Sequence, residues 1–243
     1  MIKIMSETLE ILDIIRFATG VFILLYASYT DIKIRQASNK LWLVMGSIAI
    51  FLLIIQYFTE GFENYFYLIF IPIMIGLVYL LFQLRIIFGG ADAKAIMAIA
   101  ILAPLEPSIV GFPLVKGAFM PFSWTIFQNS LIMFLFIPLS LFVYNIFKGN
   151  ARFPNAFLGY MMDIKTAREK FVWPLERIID GKLKFSYMPK EFDASKEFDK
   201  FEKEGIKNIW VTPKVPFMIP LLIGFIVSFI LGDLFFIIMS FFI

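Results

Sequence analysis

The sequence predicts an all-α polytopic membrane protein with six transmembrane helices and a small α+β cytoplasmic domain between helices 5 and 6. Hydrophobic residues make up 60% of the 243-residue chain, and its mean hydropathy is +0.84. These residues form runs of about 20, the length at which a helix crosses a bilayer with its backbone polar groups bonded internally. Charged residues instead concentrate in one long segment, residues 148–214, where the apolar runs stop.

The predicted spans follow one another through short polar connections. They cover roughly residues 12–30, 41–58, 65–86, 93–110, 124–147 and 217–240. Gly89 and Gly90 interrupt the helical pattern between the third and fourth spans. We therefore expect residues 1–147 to carry helices 1–5, residues 148–214 to form the soluble domain, and residues 215–243 to carry helix 6.

Local patterns predict both helices and strands in the soluble domain. Residues Thr166–Ile179 are predicted as a helix, and Lys182–Met188 alternates apolar and polar residues as a half-buried strand does. Asp193 is predicted to cap a helix that runs to Glu204. Asn208–Val215 is predicted as a second strand and is a candidate partner of the first.

The distribution of Lys and Arg predicts the orientation of the chain in the plasma membrane. Lys33, Arg35 and Lys40 lie in the first loop, and Arg85 and Lys94 flank the Gly-Gly turn. Cytoplasmic loops carry an excess of such residues. With six spans, both short loops and residues 148–214 fall on the cytoplasmic side, and both termini face outward.

The chain contains no Cys and no His. This composition excludes disulfides, a thiol nucleophile, a His base and the usual zinc sites. The net charge of +3 gives no general argument for nucleic-acid binding. The sequence predicts neither a metal nor another cofactor.

Two aspartates occupy matching places at the cytoplasmic ends of apolar runs. Asp31 ends the first run, and Asp92 follows Gly89 and Gly90. Two carboxylates that share one proton can activate water and protonate a leaving amide. Glycine permits a positive φ or close packing, so we expect the turn to act as a hinge that brings Asp92 toward Asp31. The other open interpretation is that each Asp caps a helix.

Three segments resemble a known family. Gly89-Gly90-Ala91-Asp92-Ala93-Lys94 resembles the GxGD-x-K motif of the membrane aspartyl proteases that process type IV prepilins and archaeal preflagellins. The segment from Asp31 to Asn39 resembles the family's first-Asp loop, and Lys214–Pro220 resembles the Pro-Phe segment before a late span. Ala91 stands where the family has its second Gly. Because bacterial members typically carry paired Cys and this chain has none, the resemblance favours the archaeal preflagellin peptidase branch.

The resemblance implies a role for each matching residue. It implies that Asp31 and Asp92 are the catalytic pair, and that Gly89, Gly90, Ala91 and Lys94 form the motif and hinge around the second acid. Lys33, Arg35 and Asn39 are candidate supporting residues. The implied substrate is a preflagellin or pilin-like precursor in the lipid bilayer, with a basic leader and an apolar helix. No cofactor is implied.

Other features leave alternatives open. A small transporter or proton-conducting protein would use Asp31, Asp92 and Asp233, whereas a scaffold would only display residues 148–214. Asp13 and Arg16 are predicted as an interfacial ion pair on the surface of helix 1. Acidic residues of the soluble domain, such as Asp163, Glu169 and Asp180, are candidates for holding a basic leader.

Overall fold

The computed structural model describes residues 7–62, 64–87, 89–116, 120–179, 181–186 and 194–242. Its helices are α1 (Glu7–Ile34), α2 (Asn39–Thr59), α3 (Phe70–Gln83), α4 (Gly90–Leu102), α5 (Phe122–Phe147), α6 (Asn155–Leu158), α7 (Ile164–Glu169), α8 (Ser195–Lys203), α9 (Met218–Ile230) and α10 (Leu234–Ser240). A 3-10 helix, Tyr65–Ile69, leads directly into α3. The contacts divide the chain into two compact units, Met1–Phe134 with Pro216–Ile243, and Leu135–Val215.

Four helical segments of the described chain are long and apolar enough to cross a membrane. They are Glu7–Ile34, Asn39–Thr59, Tyr65–Gln83 and Phe122–Phe147. At a rise of about 1.5 Å per residue, the longest reaches about 42 Å, more than the roughly 30 Å hydrocarbon core of a bilayer. The helical assignments of predicted spans 1, 2, 3 and 5 are confirmed.

The helices at predicted spans 4 and 6 are shorter than the sequence suggested. α4 has 13 residues and ends at Leu102, two residues before Pro104. Residues 217–240 form two helices rather than one, because the chain turns at Gly232, where φ is +92°. The Asp233 carboxylate then accepts the Phe236 N–H at 3.1 Å and caps α10. The prediction of one continuous helix over this range is wrong.

Small side chains let α4 lie in the middle of the first unit. Ala93, Ala95, Ala98 and Ala100 are buried, and α4 contacts α1, α2 and α3. Small residues allow helix backbones to approach closely. Such packing matters in a membrane, because the lipid tails are as apolar as the side chains and leave little hydrophobic driving force for helix association. This packing holds the first turn of α4 beside the ends of α1 and α2.

Asp13 and Arg16 form a buried polar network, not the surface pair that their spacing predicts. Their side chains meet at 2.6 Å, and the residues are 6% and 3% exposed. Arg16 also donates to Gln56 Oε1 of α2 at 2.7 Å, and the Ser108 N–H donates to Asp13 at 2.7 Å. The network therefore joins α1, α2 and the segment after α4.

The second unit is a small α+β domain, as predicted. Its strands are β1 (Tyr160–Asp163), β2 (Val172–Pro174), β3 (Glu176–Ile179), β4 (Lys182–Phe185) and β5 (Asn208–Pro213). One antiparallel sheet has the order β1-β5-β2, with Met162 opposite Ile209 and Trp173 opposite Thr212. The other is the β3–β4 hairpin, with Ile178 opposite Leu183.

Two sequence predictions in this unit are wrong. The helix expected over Thr166–Ile179 ends at Glu169, because Val172 onward pairs with other strands. The strand at Asn208 pairs with β1 and β2, whereas the strand at Lys182 pairs with β3. The α8 helix is confirmed, but its expected cap, Asp193, lies outside the described residues, as does Asp180.

Candidate active site

Asp31 lies in the last turn of α1 and is half-buried. The start of α9 at Met218 lies near enough to this carboxylate for the Met218 backbone N–H to act on it electrostatically. The first amides of a helix lack partners within the helix and carry partial positive charge, so they stabilise an anion. Met218, which lies within the predicted Lys214–Pro220 segment, is therefore a neighbour of the first acid.

Arg35 directly follows α1 and lies close to the same acid. The Arg35 N–H donates to the Asp31 carbonyl oxygen at 3.0 Å, and Arg35 takes a left-handed φ of +55°. The guanidinium charge of Arg35 acts attractively on the Asp31 carboxylate. Arg35 is thus a direct electrostatic neighbour of Asp31.

Asp92 lies in the first turn of α4 and turns back over the residue that caps this helix. A Cβ placed on Gly89 would lie 2.0 Å from Asp92 Oδ2, far inside van der Waals contact. The φ of Gly89 is −85°, which any residue can adopt. Gly89 is therefore needed because a side chain would collide with the Asp92 carboxyl, and not because of its backbone conformation. The nearest atom to a Cβ on Gly90 is 3.7 Å away, an ordinary contact.

The predicted backbone role of the two glycines is only partly right. Neither Gly89 nor Gly90 has a positive φ. The alternative, close packing, is found for Gly89. Ala91 is an ordinary helical residue of α4 that packs against the core. A side chain at position 91 consequently has both the space and the backbone geometry that it needs.

The structure brings the two acids near each other. α1 contacts α4, and the negative charge of Asp31 acts directly on Asp92 as a like charge. The two charges therefore lie close enough to interact, although residues 35–89 of the chain separate the two helices. Two carboxylates that lie close together can share one proton.

Asn39 and Lys94 connect the helices next to the acids. The Lys94 Nζ donates to Asn39 Oδ1 at 2.8 Å, which joins the first turns of α2 and α4. Lys33 does not take part in this contact. Its ammonium lies 5.8 Å from the centroid of the Tyr29 ring. Asn39 and Lys94, which the sequence analysis took from different segments, are therefore hydrogen-bond partners. Among the contacts that the structure describes, Lys33 makes none with Asp31 or Asp92.

Two further acids that the sequence singled out, Asp233 and Asp163, have local structural contacts. Asp233 caps α10 and also accepts from Gln128 Nε2 at 3.0 Å. Asp163 is exposed and caps α7, where the Thr166 N–H, at 2.9 Å, lowers the pKa of its carboxyl. These contacts favour structural roles for both residues, and they give the transport interpretation of Asp233 no support.

Comparison with known proteins identifies the family. The model of the type IV leader peptidase family matches residues 18–147, more than half of the chain. The chain belongs to the type IV leader peptidase family. A second family model, archaeal peptidase A24 C-terminus type II, matches residues 151–234. Both acids lie within the first match, and the family resemblance drawn from the three sequence segments is confirmed.

Relatives in the family align along nearly the whole chain. The preflagellin peptidase of Methanococcus voltae is 28% identical over 234 residues, covering 90% of this chain and 96% of the relative. The preflagellin peptidase of Methanocaldococcus jannaschii is 28% identical over 232 residues, covering 90% and 94%. That of Methanococcus maripaludis is 26% identical over 235 residues, covering 90% and 96%.

Proposed function

We propose that this chain is a membrane aspartyl endopeptidase that removes the short basic leader from preflagellin or similar type IV pilin-like precursors. The observation that carries the proposal is the juxtaposition of Asp31 and Asp92, whose charges act on each other. The preflagellin peptidases of methanogens, similar over 90% of the chain, support the substrate class.

The proposed reaction needs only the two carboxyl groups and a water molecule. The ionised carboxylate takes a proton from water, and the water oxygen attacks the scissile carbonyl carbon. The protonated carboxyl then donates its proton to the amide nitrogen as the C–N bond breaks. The products are a free leader carboxylate and a new amino terminus, and the proton taken from water resets the pair.

The proposed location of the reaction is the cytoplasmic face of the plasma membrane. Lys33, Arg35, Lys40 and Lys94 lie near the same helix ends as the acids, and such residues favour the cytoplasmic side. A precursor with an apolar helix would lie in the bilayer, with its basic leader near the head groups. In this proposal the short helices α4 and α9 pack among the four long spans of the membrane domain.

Replacement of each acid tests the proposal. Purified variants Asp31→Asn and Asp92→Asn would be given a preflagellin precursor in detergent or vesicles. We expect each to lose cleavage by a factor of about 100 to 10,000, the usual contribution of a general acid or base. The matched control is Asp233→Asn, because Asn also caps helices and this residue has no place in the proposed pair.

The double variant Asp31→Asn/Asp92→Asn sharpens the test. Residues that act as one unit are strongly non-additive, so the double variant is expected to be little slower than either single variant. Cleavage retained at the wild-type rate in either single variant would rule out the proposed pair. If Asp233→Asn lost cleavage to the same extent, the losses in Asp31→Asn and Asp92→Asn could not be assigned to the proposed pair.

A further inference from the structure

The three-stranded sheet of the second unit has two different faces. Successive residues of a strand point to opposite faces of a sheet. Ile209 and Val211 of β5 belong to the buried cluster that contains Phe198 of α8. Trp210, which lies between them in the strand, belongs to a separate buried cluster with Leu175. One face of the sheet is therefore covered by α8, and the other carries Trp210.

The face that carries Trp210 is the one on which α5 packs, and we call it the α5 face. Phe142 of α5 packs against the cluster of Trp210. α5 is one of the four helices that are long and apolar enough to cross a membrane, and it exposes Leu139, Val143 and Phe147 in this unit. The helix ends at Phe147, little more than one turn after Phe142. If α5 spans the bilayer, the α5 face thus lies at the bilayer boundary.

Phe171, Trp173 and Lys214 lie on the α5 face beside Trp210. Trp173 is paired with Thr212, which shares a face with Trp210. The Lys214 ammonium lies 4.6 Å from the centroid of the Trp173 ring. Phe171 lies two residues before Trp173, and its carbonyl accepts the Lys214 N–H at 2.9 Å. The side chain of Phe171 is 50% exposed.

These residue types are the ones found where a membrane meets water. Phe171 lies between α7 and β2, outside the four membrane-length helices, so no span accounts for its exposure. Trp is enriched at the membrane interface, and Lys extends its apolar stem there while its charge reaches the head groups. A second such pair lies at the end of α5, where the Lys148 ammonium is 5.9 Å from the centroid of the Tyr144 ring. Positive charge at this level fits anionic head groups.

We propose that the α5 face is a membrane-interface anchor, in which Phe171 and Trp173 enter the head-group layer and Lys214 lies at the phosphates of anionic lipids. Lipid is favoured over a protein partner because this face adjoins the exposed apolar surface of α5 and carries positive charge. The anchor holds the second unit against the membrane surface. The inference goes beyond the proposed function and does not depend on peptidase activity.

Spin labelling of the full-length protein measures this contact. The chain has no Cys, so Phe171→Cys provides a single site for a nitroxide label. The protein would be reconstituted in vesicles of phosphatidylcholine and phosphatidylglycerol. Relaxation of the label by oxygen, which concentrates in the bilayer, would be compared with relaxation by a water-soluble nickel complex. We expect oxygen to dominate at position 171.

Two further labelled variants serve as controls. Lys200→Cys places the label at an exposed site of α8, the helix on the opposite face of the sheet, and there the nickel complex should dominate. Leu139→Cys places it on the exposed apolar surface of α5, and there oxygen should dominate. Nickel access at position 139 would overturn the inference, because α5 would then not lie in the bilayer.

Lys214→Gln tests the role of charge. In the labelled Phe171→Cys protein, we expect this change to lower the oxygen-to-nickel ratio at position 171. We expect a smaller decrease in vesicles of phosphatidylcholine alone, since these lack anionic head groups. A ratio that Lys214→Gln leaves unchanged in both lipid mixtures would overturn the assignment of Lys214.

Two results at position 171 would overturn the anchor itself. A label as open to the nickel complex as the one at position 200 would show that the α5 face lies in water. A label shielded from both reagents would show that protein covers this face, either a second copy of the chain or another partner. Oxygen-dominated relaxation at position 171, with nickel-dominated relaxation at position 200, would support the anchor.

Discussion

A methyl group on Gly89 would lie 2.0 Å from the Oδ2 atom of Asp92. Gly89→Ala must therefore displace the carboxyl, and we expect cleavage to fall by about 100-fold, as a shift of about 1 Å in a reacting group can cause. Gly90→Ala is the matched control, since its Cβ would be 3.7 Å from the Phe82 ring, and it should keep near-normal activity. Initial rates on a preflagellin precursor measure both, and equal losses would contradict the steric explanation.

Ala91 allows a complementary test of the motif. The family has Gly at this position, but here it is an ordinary helical site. We expect Ala91→Gly to leave the cleavage rate within a factor of two or three and to lower helix stability by about 0.5–1 kcal/mol, because Gly is the poorer helix former. Thermal unfolding in detergent and cleavage rates test this. A large gain in activity would mean that the Ala limits the enzyme.

The contact between Lys94 and Asn39 predicts energetic coupling between α2 and α4. We expect Asn39→Ala and Lys94→Met each to slow cleavage several-fold. The hydrogen bond at 2.8 Å holds the start of α4, which carries Asp92, against α2. A double-mutant cycle on kcat/KM should show that the double variant is no slower than the slower single variant. Lys94→Arg, which keeps the donor, is the control. Strictly additive losses would show that the two residues act separately.

The network around Asp13 predicts a large effect on stability. Asp13→Leu would leave the Arg16 charge buried without its anionic partner, and loss of one partner of a buried pair costs about 3–5 kcal/mol. We expect Asp13→Leu/Arg16→Leu to recover much of the loss in thermal stability. The control is Asp199→Ala in the exposed pair with Arg168, which keeps Glu202 and should change little. A single variant as stable as the double variant would contradict this account.

Hydropathy and motif spacing predicted the features that depend on local sequence. The positions of four spans, the α+β character of the second unit and α8 follow from composition and periodicity over short windows. The break between α9 and α10 was also signalled, because Gly232 and Asp233 are a helix stop followed by a cap. Because the apolar run 217–240 has the length of one membrane span, a single helix was predicted there.

Other features depend on contacts that no local pattern contains. Asp13 and Arg16 have the spacing of a surface pair, and their burial follows from Gln56 and from the Ser108 N–H, which lies 95 residues away from Asp13. The sequence leaves positive φ and close packing both open for Gly89, and only the position of the Asp92 side chain selects close packing.

Cross-linking tests the central claim, that Asp31 and Asp92 meet, most directly. The chain has no Cys, so Asp31→Cys/Asp92→Cys gives a protein with two thiols, to be treated with a short bifunctional thiosulfonate and analysed by peptide mass spectrometry. Asn39→Cys/Lys94→Cys is the positive control, and Asp31→Cys/Asp233→Cys the negative one. We predict efficient cross-linking between positions 31 and 92. No cross-link there, with a strong one between positions 39 and 94, would contradict the claim.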